Sequence, residues 1–250
     1  MLEVRNVCWD VRADGGRRRI LDDVSLSVGR GETLGLVGES GSGKSTLARC
    51  VAGLVRPTSG TILIEGVQYG ARNRPGPARL HMVMQDSLAS MNPRLTIAEV
   101  VAEPVICATG ADARKAHAHA GAWLERVGIP QAMWRRYPHA LSGGQRQRVN
   151  IARALSLSPR LLIADEPVSA LDVSIQASIL NLLMRLQRDE GFSCLFITHS
   201  LPVVNVIADR VAVMSAGRIV DYDRVERVIE NPRDEYTRRL INAVPGLGAP

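Results

Sequence analysis

The chain has 250 residues, 46% of them hydrophobic and 22% charged, enough to bury a sizeable core in one domain or in a domain with an inserted subdomain. Its net charge is +6, but the arginines are dispersed and aromatic residues make up only 4%, which argues against a basic–aromatic platform for nucleic acid. The charge excess equally suits small phosphates or an anionic membrane surface, so it selects no partner. No run approaches the ~18 consecutive apolar residues that span a bilayer. The first residues, MLEVRNVCWD, lack the charged and apolar regions of a secretory signal. Cys8, Cys50, Cys107 and Cys194 are scattered without CxxC pairing, so neither a metal site nor a disulfide framework is expected. A reduced, cytosolic setting follows.

In chain order, segments 2–7 and 24–28 read as an antiparallel N-terminal portion. Residues 33–37 (TLGLV) form a short apolar run that stops at Gly38, the pattern of a buried strand. Residues 44–52 (KSTLARCVA) carry apolar side chains at helical spacing and stop near Gly53. Between them lies GESGSGKS, residues 38–45. Gly38, Gly41 and Gly43 let the backbone wrap an anion and turn successive N–H groups inward. The helix N-terminus adds its partial positive charge. Lys44 can reach the outer phosphates of a nucleotide as a point charge, and the Ser45 hydroxyl suits magnesium. Glu39, Ser40, Ser42 and Thr46 complete the loop and the first helical turn around that site. The stretch 66–80 (GVQYGARNRPGPARL), rich in Gly, Pro and Arg, reads as a surface loop.

Three later apolar runs end in polar residues of useful chemistry. Residues 81–84 end at Gln85, residues 161–164 at Asp165 and Glu166, and residues 195–198 at His199. Short apolar runs alternating with helical segments predict a largely parallel sheet covered by helices. Ligands of such sheets bind beyond the carboxyl ends of the strands, where these residues and the glycine loop would converge. A buried carboxylate at Asp165 calls for compensation, which a magnesium ion supplies directly or through its water. Glu166 is placed to accept a proton from water attacking a terminal phosphate. Gln85 can offer its carbonyl to magnesium and its amide to that water, and His199 can donate a hydrogen bond to the phosphate.

Helices are expected over 98–107, 113–127 and 141–155. The last begins LSGGQ, with Ser142 as cap and Gly143 and Gly144 allowing a phosphate to approach exposed N–H groups. Val149, Ile151, Ala152 and Leu155 supply its buried side, with Arg146 and Arg148 solvated. If this second glycine turn cannot fold back onto the first, the nucleotide is gripped between two copies of the chain. The tail from Asn231 reads as helical and peripheral, and residues 245–250 as a frayed end. There is no internal repeat and no low-complexity tract.

Taken in order, GESGSGKS, Gln85, LSGGQ, LLIADE, the turn SALD (169–172) and His199 resemble the ATP-binding cassette of ABC transporters over nearly the whole chain. The resemblance implies an α/β fold: a P-loop NTPase core with a mainly parallel sheet, an N-terminal antiparallel β portion and an inserted α-helical subdomain. The core would comprise 1–85 and 159–230, the helical subdomain 86–158 and the tail 231–250. ATP and Mg2+ are the implied cofactors, held in a sandwich dimer. There Leu141, Ser142, Gly143, Gly144 and Gln145 of one subunit face the phosphate loop of the other, with Asp172 at the subunit contact. Family members stack an aromatic residue on adenine; Trp9 is the candidate, and Val11 is its rival for that position.

Segments 85–97 (QDSLASMNPRLTI), 169–183 and 231–245 look like the peptide and nickel importer subfamily. Similar proteins pair two ATPase subunits, identical or related, with two transmembrane permeases and an extracytoplasmic solute-binding protein, at the cytoplasmic face of the inner membrane. Ala164 departs from the pattern, standing where the family carries a larger aliphatic residue. Three rivals are an ABC ATPase of DNA repair, a ribosome-associated one and a nucleotide sensor that does not hydrolyse. The first needs heptad arms, the second two cassettes in one chain, and the third would lack the base that Glu166 offers.

Overall fold

The structure is a computed structural model that describes residues 1–13, 16–69 and 79–244. Strands β1 (Leu2–Ala13), β2 (Gly16–Val28) and β3 (Thr33–Val37) lead into helix α1 (Lys44–Val51), then β4 (Ser59–Ile64), β5 (Val67–Tyr69) and β6 (Leu80–Val83). Helices α2 (Ile97–Thr109), α3 (Ala113–Arg126) and α4 (Gly143–Leu155) follow, then β7 (Leu161–Asp165) and α5 (Val173–Glu190). The chain finishes through β8 (Ser193–Thr198), α6 (Leu201–Ile207), β9 (Arg210–Ser215), β10 (Arg218–Arg224), α7 (Val225–Glu230) and α8 (Glu235–Asn242). Two compact units result: Met1–Gly76 with Phe192–Pro250, and Pro77–Gly191. No helix among the described residues is long and apolar enough to cross a membrane.

The first unit holds two layers of strand. Parallel strands run β9–β3–β8, with β10 antiparallel on the outside of β9. Every residue of β3 and β8 is buried, which is why both read as unbroken apolar runs rather than alternating ones. The second sheet is antiparallel, in the order β2–β1–β4–β5. Its strands β1 and β2 extend well past the expected 2–7 and 24–28, into a charged stretch that includes exposed Arg17, Arg18 and Arg19. Three consecutive exposed arginines interrupt any apolar alternation there, so none announced it, although Leu21 is buried. Strand β5 likewise replaces the first part of the loop expected over 66–80, pairing with β4. Residues 70–78 of that loop, and the end expected to fray at 245–250, lie outside the described residues. The Tyr222 hydroxyl links the two sheets, donating to the Ser27 carbonyl at 2.8 Å and accepting the Ser27 N–H at 3.0 Å.

The tail departs from expectation. Helix α8 is helical but not peripheral: Ile241 is buried in one cluster with Val37, Leu201, Val204, Val213 and Val228. An eight-residue helix is marginal alone, so this packing is what holds it.

The second unit carries parallel strands β6 and β7, with α2, α3 and α4 between them in the sequence. Helix α2 starts at a reciprocal cap, in which the Thr96 hydroxyl accepts the Glu99 N–H while Glu99 accepts the Thr96 N–H. The Thr96 hydroxyl also donates to the Glu99 carboxylate at 2.7 Å, and this bond, with that from the Thr96 N–H, holds the carboxyl below its ordinary range. Helix α3 is capped by Asp112, which accepts the N–H groups of Arg114 and Lys115. A side chain at Gly121 would meet the Trp134 ring at 2.7 Å, so that ring seats directly on the α3 backbone. The cysteines are all free, and burial pushes the thiols of Cys50 and Cys194 up to about 12.

His81 on β6 is mostly buried, and desolvation together with the nearby Arg153 charge lowers its pKa to about 4. The unfolded chain binds a proton there near pH 6.5. The contribution of this neutral histidine to stability is therefore complete above pH 6.5 and declines as pH falls towards 4, by up to about 3 kcal/mol. Denaturant midpoints measured between pH 7 and pH 4.5 should show that decline, and His81→Asn should flatten it.

Candidate functional site

In the first unit the phosphate loop begins where β3 ends. The Met214 carbonyl oxygen lies 2.1 Å from where a Cβ on Gly38 would stand, so only glycine fits. Gly41 and Gly43 have φ of +81° and +109°, the left-handed region that turns the loop back towards α1. Lys44 is only 5% exposed. Its ammonium donates to the carbonyls of Gly38 and Glu39, both at 2.7 Å, so a lysine side chain curls back over its own loop. Gly217 donates its N–H to the Ser42 carbonyl at 3.0 Å, tying the loop to the β9–β10 turn. Helix α1 has no acidic residue in its own first turn, and Ser45 and Thr46 are half-buried there.

Val37 pairs with Thr198 in the parallel register of β3 and β8, so Gly38 and His199 leave adjacent strands at the same end. The structure thus brings His199, which is exposed, to the edge that carries the loop. Trp9 and Val11 are both half-buried on β1, opposite Leu21 and Arg18. One residue that sequence reasoning missed also meets the loop: the Tyr236 hydroxyl of α8 accepts the Glu39 N–H at 2.8 Å.

The second unit repeats the strand-end logic. Val83 pairs with Ala164 in the parallel register of β6 and β7. Gln85 lies two residues beyond β6 and is exposed, while Asp165 closes β7 and is 8% exposed. Glu166 follows with φ of +48°, an unusual conformation for a non-glycine residue. Its carbonyl accepts from both the N–H and the hydroxyl of Ser169, which closes the turn. The Asp165 carboxylate and the Gln85 amide oxygen are hard oxygen donors of the kind that suits Mg2+, and the Ser45 hydroxyl of the first unit is another by its own chemistry. Asp172 is exposed at the start of α5 and makes no capping bond through its side chain.

The LSGGQ segment forms the start of α4. Ser142 caps the helix by accepting the Gln145 N–H at 3.3 Å, and Gln145 reciprocates by accepting the Ser142 N–H at 3.0 Å. Leu141 is buried, so anything approaching this corner meets its backbone rather than its side chain. A Cβ on Gly144 would come within 2.7 Å of Ile175, and one on Gly143 within 3.2 Å of Leu171, so the glycines also let α5 pack close. No acidic side chain occupies the first turn of α4.

Arg146 and Arg148 are not solvated as expected. Each is half-buried and donates to a backbone carbonyl at 2.6 Å, Arg146 to Leu141 and Arg148 to Val127. Carbonyls at segment ends need donors, and a long guanidinium stem reaches them. Further along α4, buried Asn150 donates to the Ser87 carbonyl and accepts from the Ser90 hydroxyl, both at 3.0 Å. Arg153 also donates to the Ser90 carbonyl. The segment after Gln85 is therefore latched onto α4, a link that no sequence spacing announced.

Two glycine substitutions separate space from conformation. Gly38→Ala must displace the Met214 carbonyl or β3 and should abolish nucleotide binding. Gly41→Ala has no atom within 4 Å and should cost only the left-handed backbone, about 1–2 kcal/mol. Thermal melts and a nucleotide titration of both variants check this.

The ABC transporter family matches residues 21–169. The chain is 50% identical over 231 residues to the "Probable peptide ABC transporter ATP-binding protein y4tS" of Sinorhizobium fredii, covering 91% of this chain and 65% of that protein. To the oligopeptide transport ATP-binding protein OppF of Bacillus subtilis it is 41% identical over 251 residues, covering 98% of this chain and 82% of that one. Among solved structures it is similar to the dimeric, post-hydrolysis form of the ATP-binding cassette MJ0796 bound to ADP and Pi, with a TM-score of 0.80 and 28% identity. That match covers 90% of this chain and 99% of the other. The buried lysine in its glycine loop, the capped LSGGQ helix and these likenesses converge on one conclusion: the chain belongs to the ABC transporter family, as one of its ATP-hydrolysing cassettes.

Proposed function

We propose that this cassette powers a peptide importer, closing as a sandwich dimer around ATP at the cytoplasmic face of a membrane. The observation that carries the reading is the joint presence of the Lys44 loop and the LSGGQ corner, each presenting helix N–H groups without acidic neighbours in the first turn. Both are built to hold phosphate. The likeness to the dimeric MJ0796 cassette supports two copies, or one copy and a related partner, as the working pair. The named activities of y4tS and OppF support peptides over nickel as the cargo.

In this reading residues 1–85 and 159–230 are the nucleotide-binding core and 86–158 the helical subdomain. Lys44 and the amides of 38–46 hold the phosphates. Ser142, Gly143, Gly144 and the backbone of Leu141 and Gln145 face the nucleotide of the partner subunit, with Asp172 at the contact. Trp9 stacks on adenine. Ser45, Gln85 and Asp165 would hold Mg2+, which neutralises charge on the phosphates when bound. Glu166 accepts the proton of the attacking water, and His199 donates to the terminal phosphate. The Asn150 and Arg153 latch supports coupling: movement at Gln85 is carried to α4 and outward to two transmembrane permeases. A solute-binding protein delivers the cargo to them.

Glu166→Gln keeps the side chain's shape and removes its basicity. Steady-state ATP hydrolysis should fall at least about 100-fold, while ATP is still bound and a dimer accumulates on size-exclusion chromatography. Wild-type turnover in the variant would remove Glu166 as the base. In liposomes holding the complete transporter, uptake of labelled peptide but not of nickel is the expected result, and the reverse would transfer the cargo assignment to nickel.

A further inference from the structure

We propose that Tyr236, in the C-terminal helix α8, is a positioning residue for the phosphate loop, holding the Gly38–Glu39 peptide in its nucleotide-ready orientation. The inference rests on reading residues 38–45 as the cradle for nucleotide phosphates. The carbonyl of Gly38 and the N–H of Glu39 belong to one planar peptide unit and point in opposite directions. Lys44 grips one end, donating to that carbonyl at 2.7 Å. Tyr236 grips the other, accepting the Glu39 N–H at 2.8 Å. Rotation of this peptide breaks both bonds at once. The next carbonyl, of Glu39, also accepts from Lys44, so a rotated peptide would take the lysine with it.

The tyrosine is itself delivered by a chain of contacts. Asp221 on β10 is only 4% exposed, and its carboxylate accepts the N–H groups of Arg233 and Asp234 at 3.2 and 3.0 Å. Asp234 in turn caps α8 by accepting the Tyr236 N–H at 2.8 Å. One turn and a half further on, Ile241 is buried in the same cluster as Val37, the residue that precedes Gly38. The Tyr236 ring packs against this cluster, so its hydroxyl is aimed by a rigid support rather than by a mobile tail. Ordering the loop before nucleotide arrives removes an entropic cost of binding.

The test compares Tyr236→Phe, which keeps the ring and removes the acceptor, with Ile241→Ala, which loosens the tail and keeps the hydroxyl. Magnesium-ADP dissociation constants come from calorimetry on the full chain, and KM and kcat from steady-state ATP hydrolysis. For Tyr236→Phe, the loss of one hydrogen bond should raise the dissociation constant and KM about five-fold. Its kcat should stay within about two-fold of wild type, its melting temperature should hold, and hydrogen exchange at Glu39 should quicken. Ile241→Ala, which loosens the support but keeps the hydroxyl, should lower the melting temperature and weaken ADP binding by clearly less than Tyr236→Phe does. Unchanged ADP affinity in Tyr236→Phe, or an equal loss in Ile241→Ala, overturns the role given to the hydroxyl. A wild-type chain that binds no nucleotide overturns the reading of the loop itself, and is distinguished by that control.

Discussion

The glycine loop that follows β3 can exist only because residue 38 has no side chain. A neighbouring carbonyl, that of Met214 on β9, stands where the first side-chain carbon would go. The β3–β9 pairing and the loop's conformation are therefore one constraint rather than two. With this close approach go the left-handed turn at Gly41 and Gly43 and the burial of Lys44. A lysine ammonium taken so far out of water needs acceptors, and the carbonyls of Gly38 and Glu39 provide them. In the proposed function an incoming phosphate competes with these carbonyls for the same ammonium.

The second unit solves a related problem with different chemistry. Its strand β7 is buried throughout and ends in a carboxylate, and the next residue, Glu166, sits in a strained backbone conformation that points the chain into a tight turn. Strain of this kind costs on the order of 1 kcal/mol or more and persists where the surroundings enforce it. Here the Ser169 N–H and hydroxyl do so. At α4 the reciprocal bonds of Ser142 and Gln145 use side chains to settle the cap, and the glycines between them leave room for close approach of Ile175 and Leu171. Glycines in LSGGQ thus have a packing duty alongside any contact with nucleotide.

Much of this was legible beforehand for a physical reason. Fully buried parallel strands must be continuous apolar runs, so β3, β7 and β8 announced themselves, and the polar residues that follow them were found by looking at where each run stopped. Glycine spacing in 38–45 reflects a backbone demand that few other sequences meet. The extended hairpin of β1 and β2 was missed because the consecutive exposed charges Arg17, Arg18 and Arg19 leave its outer end without an apolar alternation. Strand β5, three residues long, carries no periodicity to detect. Arg146 and Arg148 were misjudged because their charge argues for solvent, while their reach to backbone carbonyls depends on where other segments end.

The amino-acid sequence by itself determined the strand ends, the glycine loop, the Ser142 cap and the family, because each rests on local residue chemistry at short spacing. Only the tertiary structure decided that α8 joins the Val37 cluster, that Tyr236 meets Glu39 and that Asn150 holds Ser87 and Ser90. The hydrogen bonds among these join positions 60 to 197 residues apart, and no periodicity reports which distant side chains will share a surface once the apolar runs have packed.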